Sequence, residues 1–233
     1  MAMHFGGRYT SVSQITGPSG FYNIKVGNDN VVVYVDQEYD GGGWVCVIAN
    51  RQSSVGMRNL TYYDAINTCN YRTTTNTNAP LYNLSGLSNY NIWIGTKYWE
   101  LLGKRNNSSY VTVVQFVSTS NGTPLSGSHT KRYRWKFDNF TPKYAFSGVG
   151  ALSDETSTGA PGFYSNHAAN GYNLSTYDND QDIYTAGSCS VSYGNNPWWY
   201  EACWSGNYFG YDNGPYWNGS SGDIHQYGAV YIK

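Results

Sequence analysis

The most constraining stretch of this 233-residue chain is the run at residues 44–49, where Trp44, Cys46 and Ile48 alternate with Val45, Val47 and Ala49. Successive residues of a strand point to opposite faces. Both faces of this strand are therefore apolar, and it has to lie inside a sheet that is covered on both sides. Three glycines, Gly41, Gly42 and Gly43, separate it from what precedes. Upstream, residues 21–26 and 31–36 are strand-like and flank Gly27-Asn28-Asp29-Asn30, a turn that suits a hairpin. Residues 91–102 form a second apolar segment split by Gly95, and residues 110–118 and 131–137 alternate as further strands joined by a polar loop. Helical signals are weak and predict about two turns each over 62–70 and 98–104. Residues 1–18 are expected to be a loose N-terminal arm. From Gly148 onward regular patterning fades into loops rich in Gly, Asn, Asp, Tyr and Trp.

Charge decides what such a chain is not. Charged residues make up 12% of the chain, against roughly 25% in an average domain, while Tyr, Trp and Phe number 24, 8 and 8. Disorder requires the reverse balance. Phosphate-driven nucleic-acid binding requires a basic excess, and 14 Lys+Arg against 15 Asp+Glu supply none. No apolar run approaches the roughly 20 residues of a membrane-spanning helix. Residues 1–16 lack the apolar core of a secretory signal, so none is expected in this chain. The surface then has to be built from hydroxyls, amides and Tyr rings, which offer wide contact area with few rotatable bonds; Tyr is equally a good strand former.

Two constellations stand out in the loop-rich last third. Asp178, Asp180 and Asp182 occupy alternate positions, so their oxygens can converge on a hard cation such as Ca²⁺. An EF-hand is excluded, because Ile183 and Cys189 stand where Gly and Glu are required. The competing reading is three solvated turn carboxylates, although no Lys or Arg lies nearby in sequence to relieve their repulsion. Cys189 and Cys203 bracket a loop containing Pro197-Trp198-Trp199-Tyr200 and are either a disulfide staple or two buried thiols. Cys46 reads as a small core hydrophobe and Cys69 falls in a polar turn; the absence of C-x-x-C argues against zinc or redox chemistry. No nucleophile elbow, zincin helix or phosphate loop occurs, and His4, His129, His167 and His225 stand apart. The chain is expected not to be an enzyme.

These residues together resemble a known family. Ser19-Gly20-Phe21-Tyr22-Asn23-Ile24, Val33-Tyr34-Val35-Asp36 and Asp40-Gly41-Gly42-Gly43-Trp44 with Arg51 seven positions on resemble the opening of a fibrinogen-like C-terminal domain. Ile92-Trp93-Ile94-Gly95 is similar to its WLG segment. His167 with Asn170-Gly171 is similar to its HNG, and Leu174-Ser175-Thr176 with the three aspartates to its FST-x-D-x-D-x-D. Cys189…Trp198-Trp199-Tyr200…Cys203 is similar to its C…WWY…C. The matches run in order from residue 19 to at least 219.

The resemblance implies an α+β fold: a single domain over 19–233 with a small N-terminal subdomain (about 19–55), a central twisted antiparallel sheet with short helices (about 56–165), and a loop-rich binding subdomain (166–233). It implies a Ca²⁺ held by Asp180 and Asp182 with the main-chain carbonyls of Tyr184 and Ala186, a structural part for Asp178, and a Cys189–Cys203 disulfide. Related lectins, the ficolins and tachylectins, bind acetyl groups in an aromatic pocket; the corresponding residues are Tyr193, Cys203, Trp204, Tyr216, Trp217 and Tyr227. Trp204 and Trp217 are larger than the family's usual residues and reshape that pocket. The family's N-terminal disulfide is missing from both ends: Val35 takes one position and no Cys precedes Ser19. That loss suits a chain folded outside the secretory pathway and displayed on a phage or virion surface.

The expected function is a calcium-supported, glycan-binding adhesin domain, extracellular or on a virion surface. Its ligand would be a cell-surface or acetylated glycan, with neither nucleic acid nor membrane insertion involved. Weak single-site binding is expected to be offset by display as a homo-oligomer or on a larger assembly. The alternatives are a structural protein–protein module whose pocket receives a peptide end, with Asp212 and Asp223 the candidates for capturing its amine, and a virion assembly or decoration module with a vestigial pocket.

Overall fold

The computed structural model describes residues 4–51, 57–73, 90–103, 110–118, 129–136, 147–151, 172–203, 207, 209 and 227–233. In chain order the strands are β1 (His4–Tyr9), β2 (Gly20–Val26), β3 (Asp29–Asp36), β4 (Trp44–Arg51), β5 (Asn70–Thr73), β6 (Tyr90–Trp93), β7 (Tyr110–Ser118), β8 (His129–Lys136), β9 (Ser147–Ala151) and β10 (Tyr227–Ile232). The helices are short: α1 (Tyr62–Asn67), α2 (Trp99–Gly103) and α3 (Cys189–Ser192). Among the described residues all strands join one sheet in the order β1-β2-β3-β4-β10-β7-β8-β9, with β6 pairing both β4 and β5. The β2–β3 hairpin has the expected turn, and β1–β2 is a parallel pair in an otherwise antiparallel sheet.

The position of β4 explains its double apolar face. Its first half pairs with β3 (Tyr34 opposite Cys46), its second half with β6 (Ile48 opposite Trp93), and its other edge runs along β10. Residues 44–50 are all buried, and the Cys46 thiol donates to the Ile48 carbonyl at 3.4 Å. Cys46 is a free core thiol, as its sequence context predicts, and Cys69 is likewise unbridged.

Two expectations are corrected. Residues 4–18 are not a loose arm. β1 lies against β2, a 3-10 turn at Val12–Gln14 is capped reciprocally by Ser11 and Gln14, and Val12 and Ile15 are buried, so apolar anchors fix the segment to the sheet. Regular structure also does not end near Gly148. β9 follows it, and β10, from the last seven residues of the chain, enters the middle of the sheet between β4 and β7. All six residues of β10 are buried, and Lys233 beyond it exchanges two backbone hydrogen bonds with Thr112 at 2.9 Å each.

An aromatic cluster ties the sheet to the C-terminal loops. Trp93 of β6 stacks on Trp199 with ring centroids 5.5 Å apart, and Trp99 and Phe209 pack around the same pair. Buried indoles keep a hydrogen bond where they can: Trp93 donates to the Ala65 carbonyl at 2.8 Å and Trp99 to the Ile94 carbonyl at 2.6 Å. Trp199 and Phe209 of the C-terminal loops are thereby packed against β6 and α2.

Candidate functional site

Residues 172–203 contain little regular structure and are ordered instead by side-chain and cross-loop hydrogen bonds. Ser175 and Trp198 exchange backbone bonds of 2.9 and 3.1 Å, which closes the two ends of the loop on each other. Thr176 and Asn179 exchange another pair, folding Tyr177 and Asp178 into a tight turn. Asp178 Oδ1 accepts the Thr176 hydroxyl at 2.6 Å and the Tyr62 amide at 2.9 Å. It thereby joins the carboxylate loop to the first turn of α1.

Asp180 and Asp182 are adjacent. Asp180 Oδ1 accepts the Asp182 amide at 3.3 Å, and Asp182 accepts the Tyr184 amide on Oδ1 at 2.9 Å and the Cys189 amide on Oδ2 at 2.8 Å. Partial burial raises the Asp182 carboxyl above the usual range; the two amides pull it down and the Asp180 carboxylate beside it pushes it up again. The donor set is hard oxygen throughout. Each Asp182 oxygen keeps a second lone pair after accepting its amide, so the amides orient the carboxylate without consuming it. Among the described residues no three His, Cys, Asp or Glu side chains gather into a metal-holding group. A cation here would rest on two carboxylates and main-chain carbonyls. Hard, oxygen-only coordination of this kind fits Ca²⁺. The Tyr184 carbonyl accepts a long 3.4 Å bond from Gly187 N–H, and Ala186 is exposed in the same turn.

Cys189 and Cys203 are bridged, with Cα atoms 5.1 Å apart. Ser188 caps α3 by accepting from Val191 N–H, and the Tyr193 amide closes the helix on the Cys189 carbonyl at 3.0 Å. Tyr193 is half-buried against the core. Beyond it, Tyr200 is fully buried, its hydroxyl donating to the Asn196 carbonyl at 3.2 Å and accepting from Asn207 Nδ2 at 3.2 Å; burial pushes its phenol well above the ordinary value. Cys203 has φ +91°, a left-handed conformation that costs a side-chain-bearing residue about 1–3 kcal/mol and persists only where its surroundings impose it. Here the disulfide and the 3.1 Å bond from Glu201 N–H to the Cys203 carbonyl do so.

Of the residues expected to line a pocket, Tyr193 and Cys203 therefore lie together at the disulfide. Tyr227 does not share that open setting: it opens β10, opposite Arg51 on one side and Ser118 on the other, and is 1% exposed. Trp204, Tyr216 and Trp217 lie outside the described residues, as do His167, Asn170, Gly171, Asp212 and Asp223.

A wall of the site comes from a segment the sequence did not single out. The Met57 amide donates to Asn196 Oδ1 at 2.9 Å, the Asn59 amide to the Asn195 carbonyl at 3.0 Å, and Asn195 Nδ2 to Asn59 Oδ1 at 2.9 Å. Asn196, 1% exposed, also donates to the Phe209 carbonyl at 2.7 Å and so ties three segments together. Asn59 and Asn195 both sit at φ +58°, which Asn tolerates better than most residues. The only local signal was an Asn-Asn pair before Pro197, which reads as a turn and says nothing of a partner more than 130 positions away.

The split antiparallel sheet, the short helices and a stapled carboxylate loop define a fibrinogen-type globular domain. The family model of the C-terminal globular domain of fibrinogen beta and gamma chains matches residues 10–229, and the chain belongs to that family. It is 28% identical over 225 residues to fibrinogen-like protein A of Apostichopus parvimensis, spanning 93% of this chain and 69% of that protein. It is 26% identical over 214 residues to the fibrinogen alpha-2 chain of Petromyzon marinus, spanning 85% of this chain but 28% of that one. Among solved structures it is similar to the fibrinogen-like globe domain of human ANGPTL6 (TM-score 0.63, 18% identity, 100% of this chain and 98% of that one). The corresponding domain of human ANGPTL2 is similar too (TM-score 0.61, 22% identity, 97% and 98%). Domains of this family serve protein or carbohydrate binding. Among the described residues no helix is long and apolar enough to cross a membrane.

Proposed function

We propose that this chain is a non-enzymatic, calcium-supported glycan-binding domain, acting as an adhesin or receptor-binding tip displayed in several copies on a phage, virion or cell surface. The observation that carries this reading is the joining of the Asp180–Asp182 pair to Tyr193 through one short path: Asp182 holds the Cys189 amide, and Cys189 in turn closes the helix that presents Tyr193. A Ca²⁺ on Asp180, Asp182 and the Tyr184 and Ala186 carbonyls would fix that path, and so the ring against which the apolar face of a sugar packs. Trp204, Tyr216 and Trp217 are assigned to the same pocket on the strength of the family resemblance.

The test is a glycan array read with Ca²⁺ and again with chelator. Chelator-sensitive binding supports the reading. Silence across a broad array overturns it in favour of a protein–protein or decoration module. In parallel, Ca²⁺ should raise the melting temperature of the wild-type protein, because a ligand that binds only the native state stabilises it, and Asp180→Ala/Asp182→Ala should abolish that rise. A wild type indifferent to Ca²⁺ would show the metal assignment to be wrong.

A further inference from the structure

A cleft with no residue of the carboxylate loop in its walls opens where β1 parts from β2. The pairing of those two strands ends at Tyr9 opposite Ile24. Past that point Thr10, Ser11 and Val12 lead into the capped turn, and together with residues 24–27 and Leu101 and Leu102 of α2 they bound a space of about 130 Å³. Its lining is largely apolar, with Val12, Ile24, Val26 and Leu102 each buried. Leu101 beside them is 62% exposed, an apolar side chain left largely in water at the cleft.

The walls are set before any ligand arrives. Ser11 and Gln14 lock the turn reciprocally, and Gln14 Oε1 also accepts the Thr10 amide at 2.8 Å. Residues 24–26 are held in register by β3, and the Trp99 indole fastens α2 to the Ile94 carbonyl at 2.6 Å. A preformed apolar cleft needs little ordering on binding. Lys25 is the only charged residue among those that line it. It is exposed, and among the described residues no carboxylate pairs with it. Asp29, the nearest acidic residue along the hairpin, has its Oδ2 engaged by Lys97 Nζ at 3.1 Å and by the Tyr98 hydroxyl at 2.8 Å.

We propose that this cleft is a binding site for a small monocarboxylic acid, separate from the site at Tyr193. The apolar body, a single ring or a short branched chain, sits on Ile24, Val26 and the two leucines, and the carboxylate meets the Lys25 ammonium. An apolar cavity of about 150 Å³ takes benzene, so a space of about 130 Å³ limits the body to that size. A point charge on a flexible stem suits a monoanion and demands no fixed two-point geometry. The inference does not rest on the glycan-binding reading, and its failure would leave that reading untouched.

The experiment follows the backbone amide resonances of the full chain while benzoate, isovalerate, acetate or the neutral analogue benzamide is titrated in, at low and at physiological salt. In wild type, benzoate and isovalerate should give saturable shifts confined to residues 10–12, 24–27 and 101–102. Acetate, which lacks the apolar body, should bind about tenfold more weakly or worse. Benzamide should bind about fivefold more weakly than benzoate, the scale of a surface ion pair, and the difference should shrink as salt rises. Lys25→Gln, at an exposed position, should abolish the preference for benzoate over benzamide, and Lys25→Arg should keep it. Shifts that grow linearly and spread over the surface, or that miss these amides, would overturn the proposal. So would benzamide binding as tightly as benzoate in wild type, or a benzoate preference that survives in Lys25→Gln. The wild-type comparisons do not depend on any variant folding.

Discussion

Asp178 Oδ1 accepts the amide of Tyr62 at 2.9 Å across 116 positions of chain, so the carboxylate loop is fastened to the start of α1. The amide is one of the donors a helix leaves without an intrahelical partner at its N-terminus, and a negative charge there is favourable. Asp178→Ala should lower stability by about 1 kcal/mol, a fall of about 2–4 °C in melting temperature for a chain of this size. Asp178→Asn keeps the acceptor and should cost less. Calorimetry of the two variants checks this, and an Asp178→Ala protein that melts with wild type would show the bond to be incidental.

The disulfide should matter more. Cys189 and Cys203 are 14 positions apart, and a cross-link closing a loop of that size restricts the unfolded chain by about 3 kcal/mol in the loop-entropy model. It also holds Cys203 in its left-handed conformation. Mild reduction should therefore lower the melting temperature by several degrees and weaken glycan binding together. Chemical unfolding with and without reductant measures the first, and the array measures the second.

Two glycines separate conformational strain from crowding. Gly27 and Gly42 have φ +61° and +73°, but a Cβ on Gly27 meets nothing within 4 Å, whereas one on Gly42 falls 2.5 Å from Gln37 Oε1 and 2.8 Å from the Gln37 carbonyl oxygen. Gly27→Ala should cost about 1–2 kcal/mol, the usual penalty of a left-handed residue. Gly42→Ala bears the same penalty and must also displace the Gln37 backbone, so its loss should be clearly larger. Urea denaturation of both variants decides this; equal losses would mean that the Gln37 contact yields freely.

How much of this was legible in the sequence depended on whether the cause was local. The β2–β3 turn, the doubly apolar β4 and the span of β7 all follow from residue alternation and turn chemistry, and the structure has them. The aspartate triplet and the cysteine pair announced the site by type and spacing. What escaped was decided by distant partners. β10 looks like the tail of a loop region until β4 and β7 are placed on either side of it. Asn196 looks like a turn residue until Met57 and Phe209 are brought to it. Asn59, between Arg58 and Leu60, carried no sign that Asn195 would pair with it.

The free thiols should differ from an ordinary cysteine in a pH-dependent way. Burial is the main cause that pushes Cys69 up to about 11, while hydrogen bonds from the Gly95 backbone and Tyr71 oppose it more weakly. Cys46, fully enclosed in β4, is pushed higher still. A rise of about two units cuts the thiolate fraction near pH 8 roughly a hundredfold, and the thiolate is the nucleophile. Native protein treated with iodoacetamide at pH 8 should label Cys69 about a hundredfold more slowly than denatured protein, with the native rate climbing about tenfold per pH unit toward pH 10 and Cys46 remaining unlabelled. The same shift fixes a sign for stability. Between the unfolded value, near 9, and about 11 the native state holds the proton that the unfolded state has released, so stability falls as pH rises through that window. Peptide-resolved mass spectrometry of the adducts reads the rates, and native Cys69 reacting at pH 8 as fast as in denaturant would contradict its burial.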